Sequence, residues 1–326
     1  MTTFQPVFRT RQAVRQLLDK AGPVADVAVA VSGGADSLAL AAATSHTASQ
    51  RGLTVHGLVV DHQLQPGSAD VAAGAAKQLH GLGIDDVQVL TVTVTGRGGP
   101  EAAARVARYQ ALRSAGFPLV LLGHTLDDQA ETVLLGLGRG SGPRSIAGMC
   151  DLDPPWGRPF LSVPRATTVA ACEVLGLTVW DDPHNVDPAY TRVRLRREVL
   201  PLLEDVLKGG VAPALARTAA QLRDDTEALD TLSARLLAAA LVAGELDVAV
   251  LSAEPPALRR RALRRWLLDA GVPELTDAHL RSADALIGEW RGQGAVWVPG
   301  DFAVGRARGR LRVTACPEPS ERGGSG

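Results

Sequence analysis

The chain has 326 residues, 46% of them hydrophobic, and a formal net charge of −1. That length holds one large or two medium domains with a buried core, and the near balance of charge excludes a globally basic polyanion binder. Cys150, Cys172 and Cys316 are too widely spaced for a disulfide framework, an iron–sulfur site or a C-x-x-C zinc pair. No stretch has the uninterrupted apolar run of a membrane span and Met1–Arg15 lacks a signal-peptide core, so a cytoplasmic protein is expected. All but three of the 34 basic residues are arginine, so a local richness in arginine carries little weight by itself.

The first informative segment is Val27–Leu40, VAVAVSGGADSLAL. A β-branched and alanine run stops at Ser32-Gly33-Gly34-Ala35-Asp36-Ser37 and a helical pattern follows to Ser49. A strand, a glycine turn and a helix start offer an anion free backbone N–H groups and the positive end of a helix dipole. The adjacent glycines fail the G-x-G-x-x-G pattern, and no lysine follows them as a Walker loop requires. Next come a strand over Leu53–Val60 ending at Asp61-His62, a helix over Ser68–Leu82, a strand over Val87–Val94 and a helix over Pro100–Ala115. A short strand, Leu119–Leu122, then leads through Gly123-His124 to a helix from about Asp127 to Leu137. This alternation predicts an α/β fold with a parallel, Rossmann-like sheet covered by helices on both faces. Ligands in such sheets bind beyond the carboxyl ends of the strands, so Ser32, Asp61 and His124 are expected around one crevice.

Gly138–Arg158 reads as an irregular loop, followed by a helix over Ser162–Leu175, a short strand near Leu177–Trp180, a polar turn over Asp181–Ala189 and a basic helix over Tyr190–Leu207. The Gly209-Gly210 pair with Pro213 marks a boundary, giving domains over 1–212 and 213–316 and a disordered tail over 317–326. The second domain is expected to be smaller and mainly helical, with helices over Ala214–Ala243, Pro256–Ala270 and Thr276–Trp290. Alternation over Gly294–Thr314 with Gly300-Asp301 at a turn predicts a hairpin.

The hexapeptide SGGADS resembles the signature of the PP-loop ATP pyrophosphatases, which implies ATP cleaved between its α and β phosphates with transfer of AMP. Gly123–Met149, GHTLDDQAETVLLGLGRGSGPRSIAGM, resembles the matching region of tRNA(Ile)-lysidine synthetases more narrowly. Val59–Ala72, Ala104–Leu112, Gly157–Arg165 and Asp181–Leu203 agree with the same family in order, over about the first 205 residues. The resemblance implies a ligase that joins free lysine to C2 of the first-anticodon-position cytidine of an isoleucine tRNA with a CAU anticodon, by adenylation and then attack by lysine. It implies ATP and Mg²⁺ as cofactors and leaves assembly as a homodimer open. Two alternatives stand beside it: another PP-loop tRNA-modifying enzyme such as a thiolase, against which the missing cysteine pairs argue, and a non-catalytic nucleotide- or tRNA-binding module.

In this reading Ser32, Gly33, Gly34, Ala35, Asp36 and Ser37 hold ATP, with Asp61, His62 and His124 as further nucleotide contacts; a structural histidine is the other reading of His124. Asp36 is the metal candidate, although a helix-N-terminal carboxylate stabilised by the dipole accounts for it too. Asp128 and Glu131 share a helix face at i,i+3 and are assigned to the lysine ammonium, with helix capping as their other reading. Arg105 and Arg108 suit phosphate or pyrophosphate. Arg194 is assigned to the active site because the family pattern keeps an arginine there; the chain departs from that pattern at Val193, where Asn is common. Arg139 and Arg144 in the glycine-rich loop suit a polyanion. From Arg259 to Arg312 eleven arginines stand against six acids, and Arg260, Arg261 and Arg264 are expected to contact tRNA phosphates.

Overall fold

A computed structural model describes residues 4–63, 67–94, 100–140, 142–182 and 186–315. The expected tail over 317–326, with Cys316, lies outside these residues. The chain divides into two compact units, Met1–Leu222 and Arg223–Gly326.

The first unit opens with α1 (Gln5–Ala21), which the sequence reading did not foresee. Its buried Val7, Thr10, Ala13, Val14, Leu17 and Leu18 form one stripe at helical spacing. Then come β1 (Asp26–Val31), α2 (Ala35–Ser49), β2 (Thr54–Asp61), α3 (Ser68–Gly81), β3 (Asp86–Thr91), α4 (Pro100–Ser114), β4 (Val120–Leu121) and α5 (Leu126–Gly138). The segment read as a loop contains α6 (Pro143–Ile146), β5 (Leu152–Asp153) and β6 (Trp156–Gly157). These pieces are too short to show a period. A 3-10 turn (Pro159–Ser162) leads into α7 (Arg165–Leu175). The strand expected near Leu177–Trp180 is instead an extended segment outside the sheet: Thr178 N–H donates to the Gln78 side chain at 3.0 Å and Trp180 N–H to the Gly33 carbonyl at 3.0 Å. The basic helix is broken into α8 (Thr191–Arg194), a π-helical turn (Leu195–Val199) and α9 (Leu200–Val206).

The sheet order is β3-β2-β1-β4-β6-β5. All pairs are parallel except the edge pair β5–β6. Val27, Ala28 and Val29 of β1 are wholly buried, as a central parallel strand between two helical layers requires. Leu38, Leu40, Leu79 and Phe160 complete the core on the side covered by α1, α2, α3 and α7.

α10 (Val211–Ala240) carries the division between units, which falls at Leu222 instead of the Gly209-Gly210 break. In the second unit β7 (Leu241–Val242), β8 (Glu245–Asp247), α11 (Val248–Ser252), α12 (Pro256–Asp269), α13 (Asp277–Gly288), β9 (Val296–Val298), β10 (Phe302–Ala307) and β11 (Arg310–Ala315) follow. The single expected hairpin is a meander: β9 meets β10 across Gly300-Asp301 and β10 meets β11 across Arg308-Gly309. With β7 and β8 it makes a five-stranded antiparallel sheet, order β7-β8-β11-β10-β9, packed with α11–α13 around Leu251, Leu263, Leu286, Val304 and Leu311. Ala243-Gly244 and Arg308-Gly309 both have positive φ, as two-residue hairpin turns favour. Among the described residues no helix is long and apolar enough to cross a membrane.

One glycine fixes how the short α6 seats on α5. A Cβ on Gly136 would overlap the Ser145 carbonyl oxygen. In an exposed helix Gly→Ala stabilises by about 1 kcal/mol, whereas here the clash is with backbone and reverses the sign. Gly136→Ala is expected to lower stability by about 2 kcal/mol, read as a fall in Tm; a rise would show that α6 gives way freely.

Candidate active site

β1 has β2 on one side and β4 on the other, so the chain reverses its direction of travel across the sheet at β1. Crevices at such reversals, beyond the carboxyl ends of the strands, are where ligands bind. Ser32 follows β1, Asp61 closes β2, His124 follows β4 and Arg158 follows β6. The Ser32–Ser37 loop is tied to itself: Ser32 N–H donates to Ser37 Oγ at 3.1 Å, and Ser37 Oγ donates to the Gly34 carbonyl at 2.9 Å. Gly33 has φ +86°, a conformation that favours glycine, and lies against Trp180. Gly34 is the N-cap residue of α2 and makes no side-chain cap, so the first N–H groups of that helix have no capping oxygen supplied by it.

Three helix N-termini bring their charged residues together. Asp36 stands in the first turn of α2, Asp127 and Asp128 in the first turn of α5, and Arg165 at the first position of α7. Arg165 Nε donates to Asp36 Oδ2 at 3.1 Å, its Nη2 to Asp128 Oδ1 at 2.8 Å, and its backbone N–H to Asp127 Oδ2 at 2.8 Å. Thr168 Oγ1 donates to the other Asp36 oxygen. Arg196, from the π-helical turn, donates through Nε and Nη2 to the two Glu131 oxygens at 2.7 and 3.1 Å, and through Nη2 to Asp128 Oδ1 at 3.2 Å. Thr125 closes a capping box: its N–H and hydroxyl reach Asp128 Oδ2 at 2.8 and 2.9 Å.

A carboxylate has about four acceptor sites, and Asp128 has a donor for each. Glu131, whose side chain is 1% exposed, spends only two. Burial raises the Glu131 carboxyl above its ordinary range, with Arg196 opposing. Burial likewise lifts Asp36, against Arg165 and Thr168. At Asp128 burial is outweighed by Arg165, the Thr125 N–H, His124 and Arg196, so it titrates below its ordinary range. Both neighbouring histidines are neutral near pH 7. Burial takes His124 down to about 3, and burial with Arg108 nearby lowers His62. The Nδ1 atoms of both are buried without a hydrogen-bond partner. His124 therefore brings no charge to the crevice. Asp61 turns its carboxylate onto its own loop, accepting from Gln63 N–H at 3.0 Å. Arg105 and Arg108 lie over the Tyr109 ring at 4.9 and 5.8 Å, and burial with the Arg105 charge lowers the pKa of Arg108.

Residues 8–203 match the PP-loop domain family and residues 246–312 the TilS substrate binding domain family. The tRNA(Ile)-lysidine synthase of Rhodococcus jostii is 56% identical over 94% of this chain and 95% of its own length. That of Rhodococcus erythropolis is 58% identical over 92% and 93%, and that of Mycobacterium tuberculosis H37Rv 58% over 83% of each. The chain belongs to the tRNA(Ile)-lysidine synthase family. Among solved structures, the U34-tRNA thiolase NcsA from Methanococcus maripaludis, with its [4Fe-4S] cluster, superposes with a TM-score of 0.56 at 21% identity over 67% of this chain and 79% of its own, a likeness of fold alone.

Several expected site residues lie elsewhere. Arg194 is not in the charged cluster: its side chain is 60% exposed and is paired with Glu198 at 2.9 Å. The π-helical turn after it carries Arg196 to the acidic pair, a rotation that regular helical spacing does not anticipate. The α12 arginines are largely spent inside their own unit. Arg264 donates to the Leu275 carbonyl at 3.1 Å, Arg261 lies 3.6 Å from Asp230, and Arg260 donates to the Pro256 carbonyl at 3.3 Å. Replacing them would disturb packing as well as any phosphate contact. Arg139 and Arg144 are exposed, at the end of α5 and on α6. Sequence reasoning passed over Arg165, Thr168, Arg196 and Thr125. Arg165 stood inside the GRPFLSVPR stretch, and Thr125 is readable as the N-cap of a capping box.

The Arg196–Glu131 pair yields a signed expectation. Arg196→Met leaves a buried carboxylate without its counter-ion and should destabilise by about 3 kcal/mol at pH 7. Without Arg196 the folded-state pKa of Glu131 rises further above its unfolded value. The folded variant then binds more protons than the unfolded chain between those two values, so its stability increases as pH falls through that window. Denaturant melts from pH 7.5 to 5 should show the deficit shrinking; a constant deficit would mean that the loss is packing.

Proposed function

We propose that the chain ligates lysine to C2 of the first-anticodon-position cytidine of a CAU-anticodon isoleucine tRNA, with ATP converted to AMP and pyrophosphate. The observation that supports this best is the meeting, at one crevice, of an anion-binding SGGADS loop with an acidic pair that has acceptor capacity left, in a chain of this family. In this reading the first unit carries the catalysis and the second contacts the tRNA.

In the first step cytosine O2 attacks the α-phosphorus and the bond to the bridging oxygen breaks, releasing pyrophosphate. The first N–H groups of α2 and the hydroxyl of Ser32 serve the charge that develops, and Ser37 holds the loop through the Gly34 carbonyl and the Ser32 N–H. Arg105 and Arg108, two like charges beside one aromatic ring, suit the leaving pyrophosphate. Asp36 would hold Mg²⁺ once Arg165 or Thr168 yields one of its two oxygens; one carboxylate with phosphate oxygens and waters is an ordinary arrangement for this ion. Among the described residues no group of three or more His, Cys, Asp or Glu offers an all-protein cage. When bound, the ion neutralises charge on the phosphates. In the second step the lysine side-chain amine attacks C2 and AMP leaves. Glu131 holds the ammonium and takes its proton, a task suited to a carboxyl that burial has raised. Asp128, saturated with donors, orients the site.

Incubation with ATP, labelled lysine and total tRNA should put lysine into tRNA; pyrophosphate release without lysine uptake would point to another acceptor. Asp36→Ala is expected to fold and to lose AMP transfer by about 10³-fold, the scale of removing one group that stabilises developing charge. Glu131→Gln should leave adenylation intact and block lysine transfer, so that adenylylated tRNA accumulates. Normal lysine uptake by this variant would exclude Glu131 from the amine site.

A further inference from the structure

One arginine spans the two halves of the proposed chemistry, and no motif assigned it a role. Arg165 occupies the first position of α7, where a cation opposes the helix dipole. Its local position is unfavourable, so the carboxylates it reaches must account for it. Through separate nitrogens it touches Asp36 and Asp128, at 3.1 and 2.8 Å, and its side chain is three-quarters buried. With Thr168 on the second oxygen, both oxygens of Asp36 have protein donors. Arg165 and Arg196 are the two guanidinium groups that pair directly with Asp36, Asp128 and Glu131.

A metal ion and a guanidinium compete for the same carboxylate lone pairs. We propose that Arg165 is a positioning residue that serves as the resident counter-cation of Asp36 and yields it when Mg²⁺ arrives with ATP, remaining on Asp128 to hold the amine site in register. This rests on the assignment of Asp36 to the metal and of Asp128 and Glu131 to lysine. It couples the sites through one planar side chain: a lysine in its place has a single ammonium and cannot present two separated N–H groups along the same plane.

The test turns on opposite signs. Binding of a non-hydrolysable ATP analogue to the full chain is measured calorimetrically at graded free Mg²⁺, for wild type, Arg165→Gln and Arg165→Lys. With the competitor gone, the Mg²⁺ concentration giving half-maximal analogue affinity should fall about tenfold in Arg165→Gln, the scale on which one adjacent charge alters a carboxylate. In the same variant KM for lysine should rise about tenfold or more, because Asp128 has lost its holder. Arg165→Lys should shift both in the same directions by less, and it carries the test if Arg165→Gln does not fold. A residue that only stabilises the fold would weaken analogue binding or leave it unchanged, and a lesion of that kind does not tighten a metal requirement. An unchanged or increased Mg²⁺ midpoint in a folded variant would overturn the proposal, as would an unchanged KM for lysine. If the wild-type chain releases pyrophosphate but takes up no lysine, the functional reading fails at the acceptor, while the Mg²⁺ midpoint still decides the role of Arg165 at Asp36.

Discussion

The first unit is organised around a problem of charge. Three helices from distant parts of the chain, α2, α5 and α7, point their positive ends into one crevice, and acids stand in the first turns of two of them. Each acid is individually favourable at a helix N-terminus. Gathered together and buried, they are not: burial raises Asp36 and Glu131, and like-charge repulsion from Asp128 adds to both. Arg165 and Arg196 make the arrangement tenable. Such a network is weak evidence for stability, since a packed apolar cluster would hold the helices at least as well. Its retention at the carboxyl ends of the strands therefore points to chemistry.

The same helix ends serve anions and cations by different groups. The backbone N–H groups of α2 present positive partial charge toward the SGGADS loop, while side-chain carboxylates a turn away present negative charge. The proposed reaction, which takes a polyphosphate and then an amine at one base, needs both. A site of either sign alone would repel one reactant. The neutral state of His124 fits between the two: a buried imidazole beside Arg105, Arg108 and Arg158 gains nothing from a further positive charge.

What was legible in the sequence was what local chemistry encodes. β1 to β3 and the helices between them follow from periodicity, and the crevice follows from the parallel sheet. Asp128 and Glu131 were paired by a spacing that any helix enforces. Elements of two or three residues, β5 to β8, carry no period at all. Arg165 acquires its partners only when α7 folds back on α2 and α5, 129 residues from Asp36 and 37 from Asp128, so no local pattern reports it. Arg194 was assigned from the family pattern alone, and in the fold it is Arg196, carried on a π-helical turn, that reaches Asp128 and Glu131. The position of Arg194 relative to the acids depends on a local winding that side-chain identity does not specify.

The second unit shows why a charge count is a poor guide to a nucleic-acid surface. Eleven arginines against six acids is a large local excess on paper. In the fold Arg259 is bound to Asp284 at 2.7 Å, Arg265 to Asp269, Arg281 to Asp277 and Arg312 to Glu245. Arg306 donates to the Leu286 carbonyl at 2.9 Å and stacks on Trp290. A guanidinium already paired with a carboxylate adds no net attraction for phosphate and releases no extra counter-ion when it approaches one. A hydrogen bond to a carbonyl does not cancel the charge, so Arg260 and Arg264, which donate to the Pro256 and Leu275 carbonyls, keep theirs, whereas Arg261 faces Asp230. The net charge that α12 presents is therefore smaller than its count of arginines, because Arg259, Arg261 and Arg265 each face a carboxylate.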